Sequence, residues 1–397
     1  MLGNHMRLIF SLLLCMASIT SSRASDQLPI WSPVPDPEIA LQKEFDEYIG
    51  TVIAEDTPGI AITVIVGGRA LLTKGYGIAE VGGNDKINTE TVFRLASVSK
   101  TIAAAAVGSL VQHNKLGWTN KLTDYLHDLN FNNPRYAQEL TIQHLLSHRT
   151  GLIQHAYTNL VEENVSYKDI LNRMDKVPFV CAPGTCYGYQ NVVFSLVGDV
   201  VEAASKESFD AYVTRNLFEP LSMKNASFGM EKFLSAKNHA TPHIRDRKAG
   251  KWVPVEVNEN YYKVAPAAGA NASINDMNHW LLAQMGHYQD VINSDTLRAM
   301  HEKNVKTSRG QAHHGGDYWS NKLEGTYYGL GWRLFDYGGR QNYVHHGGWV
   351  QGARAEVVFH SGLQMGMVFL TNSETRLARE VVPMFLQLYS KHILQEQ

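Results

Sequence analysis

The alternation of apolar and polar positions divides this chain into three stretches. Pro29, Pro33, Pro35 and Pro37 mark an extended lead-in. After them Ile39, Leu41, Phe45, Tyr48, Ile49 and Val52 recur three and four residues apart, which predicts a helix. Gly59 to Val66 and Leu71 to Ala79 read as two strands joined by a hairpin turn at Gly67, Gly68 and Arg69. From Thr101 to about Glu302 the pattern is helical or loop-like, most clearly at Ala103 to Leu110, Ile142 to Leu146, Phe194 to Ala204 and Met277 to Met285. Strands return at Tyr327 to Phe335, Asn342 to His346, Ala353 to His360 and Met365 to Thr371, with turns at Gly338-Gly339 and Ser361-Gly362. Glu380 to Ile393 closes the chain as an amphipathic helix. This arrangement predicts an α+β fold: an antiparallel sheet formed from both chain ends, flanked by the terminal helices, with a mainly helical region inserted. Residues 38–100 and 325–397 make the sheet part and 101–324 the helical part of one catalytic unit. A cleft is expected at the seam between them.

The first residues have another character. Arg7, the apolar run Leu8 to Thr20, and the small residues Ser22 and Ala24 describe a signal peptide over 1–24, cleaved before Ser25, with 25–37 as the lead-in. The run is shorter than a bilayer requires, and no later stretch is long and apolar enough to span one. A periplasmic or secreted protein without a membrane span in its mature chain is expected. Cleavage removes Cys15 and leaves Cys181 and Cys186, which an oxidising compartment would join around Ala182, Pro183, Gly184 and Thr185. With 44% hydrophobic and 19% charged residues, the chain can bury a substantial core without disulfides or metals. Its net charge of -2, with no long basic run, argues against a nucleic-acid partner; it is the motifs that follow which imply a small-molecule or peptide substrate.

Three short motifs carry candidate chemistry. Ser97-Val98-Ser99-Lys100 is an S-x-x-K ahead of the apolar stretch Ile102 to Leu110. On a helix, positions three apart share a face, so the Lys100 amine lies beside the Ser97 hydroxyl. A serine needs such a base, and burial lowers a lysine's pKa enough for it to serve. Ser99, adjacent to Lys100, points elsewhere. Tyr189-Gln190-Asn191 follows the Pro183-Gly184 turn, and offers a phenol to move protons and an amide to hold a substrate carbonyl or the lysine. His345-His346-Gly347-Gly348 reads as an edge strand with little side-chain bulk, where a substrate backbone can pair and backbone N–H groups can stabilise an oxyanion.

In this order and spacing the motifs resemble the class C β-lactamase and penicillin-binding serine hydrolase family, with its S-x-x-K, Y-x-N and K/H-x-G elements. Phe93 to Ala96, Leu145-Leu146-Ser147-His148-Arg149-Thr150-Gly151-Leu152 and Tyr328-Gly329-Leu330-Gly331-Trp332 extend the resemblance, which runs from about residue 38 to 394. It implies Ser97 as acylated nucleophile, Lys100 as its proton partner and Tyr189 as general base and acid. It implies Asn191 as substrate amide-binding residue, His345 at the strand's Lys or His position, and an oxyanion hole from the N–H groups of Ser97 and Gly348, with Gly347 beside it. The expected substrate is a β-lactam or a D-alanyl peptide. A carboxylesterase or other amide hydrolase of the same fold, and a penicillin-binding sensor that does not turn over, are the alternatives.

The third motif departs from the Lys-Thr-Gly of class C β-lactamases. A histidine is largely neutral at pH 7, so a fixed cation for a substrate carboxylate is missing there, with Arg354 as a replacement, and His346 would narrow the cleft. No metal or other cofactor is expected: His144 and His148 have a zinc-compatible spacing but lack H-E-x-x-H. His313-His314 reads as surface loop, and Gly184-Thr185-Cys186-Tyr187-Gly188 lacks the strand–turn–helix context of a nucleophile elbow.

Overall fold

The computed structural model describes residues 36–310, 319 and 322–395. The signal-peptide reading, most of the lead-in and His313-His314 lie outside the described residues. Helix α1 (Asp36–Asp56) starts within the expected lead-in. Pro37 falls in its first turn, where a missing N–H breaks no helical bond. The predicted hairpin forms as β1 (Gly59–Val66) and β2 (Arg69–Gly77). Strand β1 is buried along its whole length, as its near-continuous apolar run requires. Its one polar side chain, Thr63, shares a hydrogen bond with the Thr73 hydroxyl (2.9 Å) and donates to Asn278 Oδ1 (3.1 Å).

The other strands of the main sheet come from the C-terminal part: β3 (Val305–Lys306), β4 (Leu323–Tyr328), β5 (Arg333–Tyr337), β6 (Arg340–Val350), β7 (Ala353–His360) and β8 (Met365–Thr371). Their order is β2-β1-β8-β7-β6-β5-β4-β3, antiparallel throughout. The pair β1 and β8, with Ile62 opposite Phe369, joins the two chain ends in one sheet. The sheet therefore takes Val305, Lys306, Leu323 and Glu324, which the sequence reading assigned to the helical part; a two-residue strand has no periodicity to read.

One predicted strand, Tyr327 to Phe335, is in fact two, broken at Gly329–Trp332. Gly331 has φ +73°, and a Cβ there would lie 2.5 Å from the Lys100 carbonyl oxygen and 2.7 Å from Ala104 Cβ. The turn can press onto the helix that carries Lys100 only because this residue is glycine. Gly331→Ala is expected to lower unfolding free energy by roughly 3 kcal/mol, read as an earlier denaturant midpoint at unchanged m.

That helix, α2 (Ser99–Gln112), is buried from Ser99 to Leu110, and Ala103 to Ala106 keep its flanks thin. With α4 (Ile274–Gln284), and with α3 (Val192–Ser205) packed beside α2, it covers the sheet face formed by Ala61, Ile65, Ala355, Val357, Val368 and Leu370. The opposite face is covered by α1 and α5 (Val381–Tyr389), whose Phe45 and Phe385 rings meet at 5.7 Å. The α+β expectation holds, terminal helices included. Among the described residues, no helix is long and apolar enough to cross a membrane.

Candidate active site

Ser97 sits in a single 3-10 turn (Ala96–Val98) that leads into α2. Ala96, just before it, has φ +49°, an unfavourable conformation for a residue with a side chain. Surrounding packing imposes it, and such strain gathers at functional positions. Ser99 is held away from the site: its hydroxyl donates to the Ala96 carbonyl (2.6 Å) and accepts from the Ala270 N–H (2.9 Å).

Lys100 is fully buried, one helical turn from Ser97. Its Nζ lies 3.4 Å from Ser97 Oγ and donates to Asn191 Oδ1 (2.8 Å) and the Ala267 carbonyl (2.9 Å). Burial, and secondarily the Arg333 guanidinium, hold its pKa well below the ordinary lysine range. Asn191, at the N-terminus of α3, is thus engaged with the lysine, one of the two roles the sequence left open for it.

Tyr189 closes the other side. Its ring centroid is 4.7 Å from Lys100 Nζ and 5.3 Å from the Arg333 guanidinium carbon. Burial pushes its pKa up to about 12; Arg333 and the Ser97 hydroxyl, as a hydrogen-bonding neighbour, oppose that rise. The residues leading to Tyr189 form an irregular loop. It is closed by a disulfide between Cys181 and Cys186, with Cα atoms 6.3 Å apart, and docked through Gly184 N–H to the Arg149 carbonyl at 2.7 Å. The expected pairing is present, around a turn that joins loop segments.

Strand β6 supplies the third wall, and here two expectations change. It is not an edge strand throughout: β5 pairs with it as far as His345, and beyond that point it pairs with β7 alone among the described strands. Second, alternation along the strand places His346 and Gly348 on the serine side and turns His345 away. His345 Nε2 pairs with Glu356 Oε2 at 2.8 Å. His346 Nε2 meets the Tyr328 hydroxyl at 3.0 Å, and its Nδ1 meets the Gly347 carbonyl at 2.9 Å. Burial, with Arg333 and Lys100, holds the His346 pKa well below its usual value, so this ring is neutral. Register, which a one-residue shift inverts, is decided by pairing across the sheet.

The two glycines differ accordingly. A Cβ on Gly348 would lie 2.3 Å from the Leu95 carbonyl and 3.2 Å from Ser97 N, so β6 reaches the serine turn only because that position is bare. A Cβ on Gly347 would meet Glu356 Oε2 at 2.7 Å, on the other face. Arg354 does not replace the strand lysine: its guanidinium lies 5.6 Å from the exposed ring of Trp349. Arg333 is the cation that the fold brings to Tyr189. It directly follows Trp332 in a segment already noted, but nothing in its local sequence sets it apart from any strand arginine.

His144 and His148 each accept a separate backbone hydrogen bond. Thr141 N–H donates to His144 Nδ1 (3.4 Å) and Gln190 N–H to His148 Nδ1 (3.2 Å). Among the described residues, no group of three or more His, Cys, Asp or Glu side chains is placed to hold a metal ion.

A serine turn opening a buried helix, with a lysine and a tyrosine around it under the half-open strand of an antiparallel sheet, defines the penicillin-binding type of fold. The chain belongs to the Beta-lactamase family, whose model matches residues 42–387. It is 25% identical over 336 residues to the unguisins hydrolase ungD of Aspergillus violaceofuscus, covering 80% of this chain and 58% of that protein. It is 22% identical over 376 residues to protein flp of Staphylococcus aureus, covering 89% and 68%. The chain thus spans little more than half of the fungal hydrolase. In structure it is similar to the octameric penicillin-binding protein homologue from Pyrococcus abyssi, with a TM-score of 0.75, 21% identity and coverage of 89% and 77%. It is also similar to a penicillin binding protein from Bacillus halodurans, with a TM-score of 0.69, 23% identity and coverage of 87% and 99%. These two likenesses bear on the fold.

Proposed function

We propose that this chain is a serine acyl hydrolase that forms an acyl-Ser97 intermediate on β-lactam or D-alanyl-peptide-like amides. The observation that carries the reading is the buried Lys100 amine, 3.4 Å from Ser97 Oγ and depressed in pKa, facing a phenol whose pKa is raised. Two groups pushed apart in this way divide the proton work. The neutral Lys100 amine accepts the proton as Ser97 Oγ attacks the carbonyl carbon. The Tyr189 phenol, protonated at neutral pH, gives its proton to the leaving nitrogen as the carbon–nitrogen bond breaks. It regains one from the Lys100 ammonium, and water then repeats the attack on the acyl-serine. Backbone N–H groups at Ser97 and Gly348 receive the developing oxyanion. With His346 neutral, Arg333 provides the positive field for an anionic substrate group.

Export into an oxidising compartment belongs to the same proposal, supported by the leader-like first residues and by the Cys181–Cys186 bond.

The purified protein should be assayed in parallel on nitrocefin, a D-Ala-D-Ala peptide and a short p-nitrophenyl ester, with mass mapping of a penicillin or fluorophosphonate adduct. Turnover of either amide, with the adduct on the Ser97 peptide, is the expected result. Turnover of the ester alone would move the substrate to the carboxylesterase class. A burst without steady turnover would make the chain a penicillin sensor. Activity lost to a chelator, with no adduct, would overturn the serine mechanism.

A further inference from the structure

The Tyr189 loop has no regular secondary structure, so something outside it must set the phenol's position. The His155 N–H donates to the Tyr189 carbonyl at 2.9 Å, and one residue adds three further contacts. The His148 carbonyl accepts the Gly188 N–H at 2.9 Å, and the His148 imidazole Nδ1 accepts the Gln190 N–H at 3.2 Å. The main chain is therefore gripped on both sides of Tyr189. The imidazole also lies against the tyrosine ring, with centroids 4.3 Å apart. His148 itself has φ +55° and is 1% exposed, so it holds a costly conformation at this spot. Because Nδ1 accepts, the ring proton resides on Nε2, which is buried and has no hydrogen-bond partner among the described residues. Burial, with Lys100, Arg333 and His155 nearby, keeps the ring neutral and so preserves the acceptor.

We infer that His148 is the positioning residue for Tyr189, fixing the phenol over Ser97 through the acceptor at Nδ1. The inference rests on the proton-delivery role proposed for Tyr189. A shift of about 1 Å in such a group costs on the order of 10²-fold in rate.

Asn and Gln side chains separate the two ring nitrogens: Asn Oδ1 falls near Nδ1, whereas the Gln amide falls near Nε2. Asn is also at ease at positive φ. On an amide substrate, His148→Gln is expected to lose about 10²-fold in kcat. KM should stay within about twofold, and His148→Asn within about fivefold of the wild type in kcat. On a p-nitrophenyl ester, whose leaving group needs no proton, the His148→Gln loss should shrink to about tenfold or less. Should His148→Gln not fold, by its thermal transition, His148→Gly takes its place, since glycine suits φ +55° and lacks the acceptor. Equal losses for Asn and Gln (or Gly), or equal losses on amide and ester, overturn the inference while wild-type acylation of Ser97 stands. A wild type that neither turns over nor is acylated at Ser97 removes the parent reading and this one with it.

Discussion

Ser97→Ala is expected to abolish the covalent adduct and to lower turnover by on the order of 10⁶-fold, the scale at which loss of a serine nucleophile is felt. The variant should fold, because among the described residues the Ser97 hydroxyl contributes its long contact with Lys100 and its interaction with Tyr189. Ser99→Ala is the informative control. That hydroxyl ties the Ala96 carbonyl to the Ala270 N–H inside the core. Its removal takes away the acceptor of the buried Ala270 N–H, at about 1–3 kcal/mol, while the Ala96 carbonyl keeps the Ser99 backbone N–H. Ser99→Ala should therefore lower the thermal midpoint and still be labelled at Ser97, whereas Ser97→Ala should keep its midpoint and not be labelled. The opposite assignment would mean that the serine nearer Lys100 in sequence is the nucleophile.

Lys100→Met carries the second largest effect, a fall in kcat/KM of about 10³- to 10⁴-fold at neutral pH, at the upper end of what a general base contributes. Methionine can lie beside the Tyr189 and Phe194 rings as the lysine does but cannot donate to Asn191 Oδ1 or the Ala267 carbonyl. The pH behaviour separates this loss from misfolding. Only the neutral amine accepts a proton, so wild-type kcat/KM must fall as pH drops through the Lys100 pKa. That acid limb lies well below the ordinary lysine value of about 10.4. The sign for stability follows from the same depression. Between the folded pKa and the ordinary one, the unfolded chain carries a proton that the folded chain lacks, so stability rises with pH across that window. In Lys100→Met both the acid limb and this contribution to the pH dependence of stability should vanish. An unchanged acid limb in Lys100→Met would place the titrating base elsewhere.

Much of the architecture was legible along the chain because it is written in local periodicity. The strands Gly59–Val66, Ala353–His360 and Met365–Thr371 and the helix Ile142–Leu146 occupy the predicted residues, since each is an apolar segment bounded by its own turn or cap. The proximity of Lys100 to Ser97 was equally readable, because a helical turn brings residues three apart together whatever surrounds them.

Other features are not properties of any short segment. Whether His345 or His346 faces the serine depends on how β6 pairs with β5 and β7, and one residue of register exchanges them. The break between Tyr328 and Arg333 exists because α2 presses on Gly331 from some 230 residues away in sequence. Arg333 and His148 reach Tyr189 through packing of a strand end and a loop that share no sequence neighbourhood with it. The sequence by itself determined the longer helices, most strands of the main sheet, the meeting of the chain ends in that sheet and the Ser97–Lys100 pair, all of which follow from side-chain period and chain geometry. Only the tertiary structure decided the face of β6, the cation beside the phenol and the grip on the tyrosine loop, because each depends on contacts between segments distant along the chain.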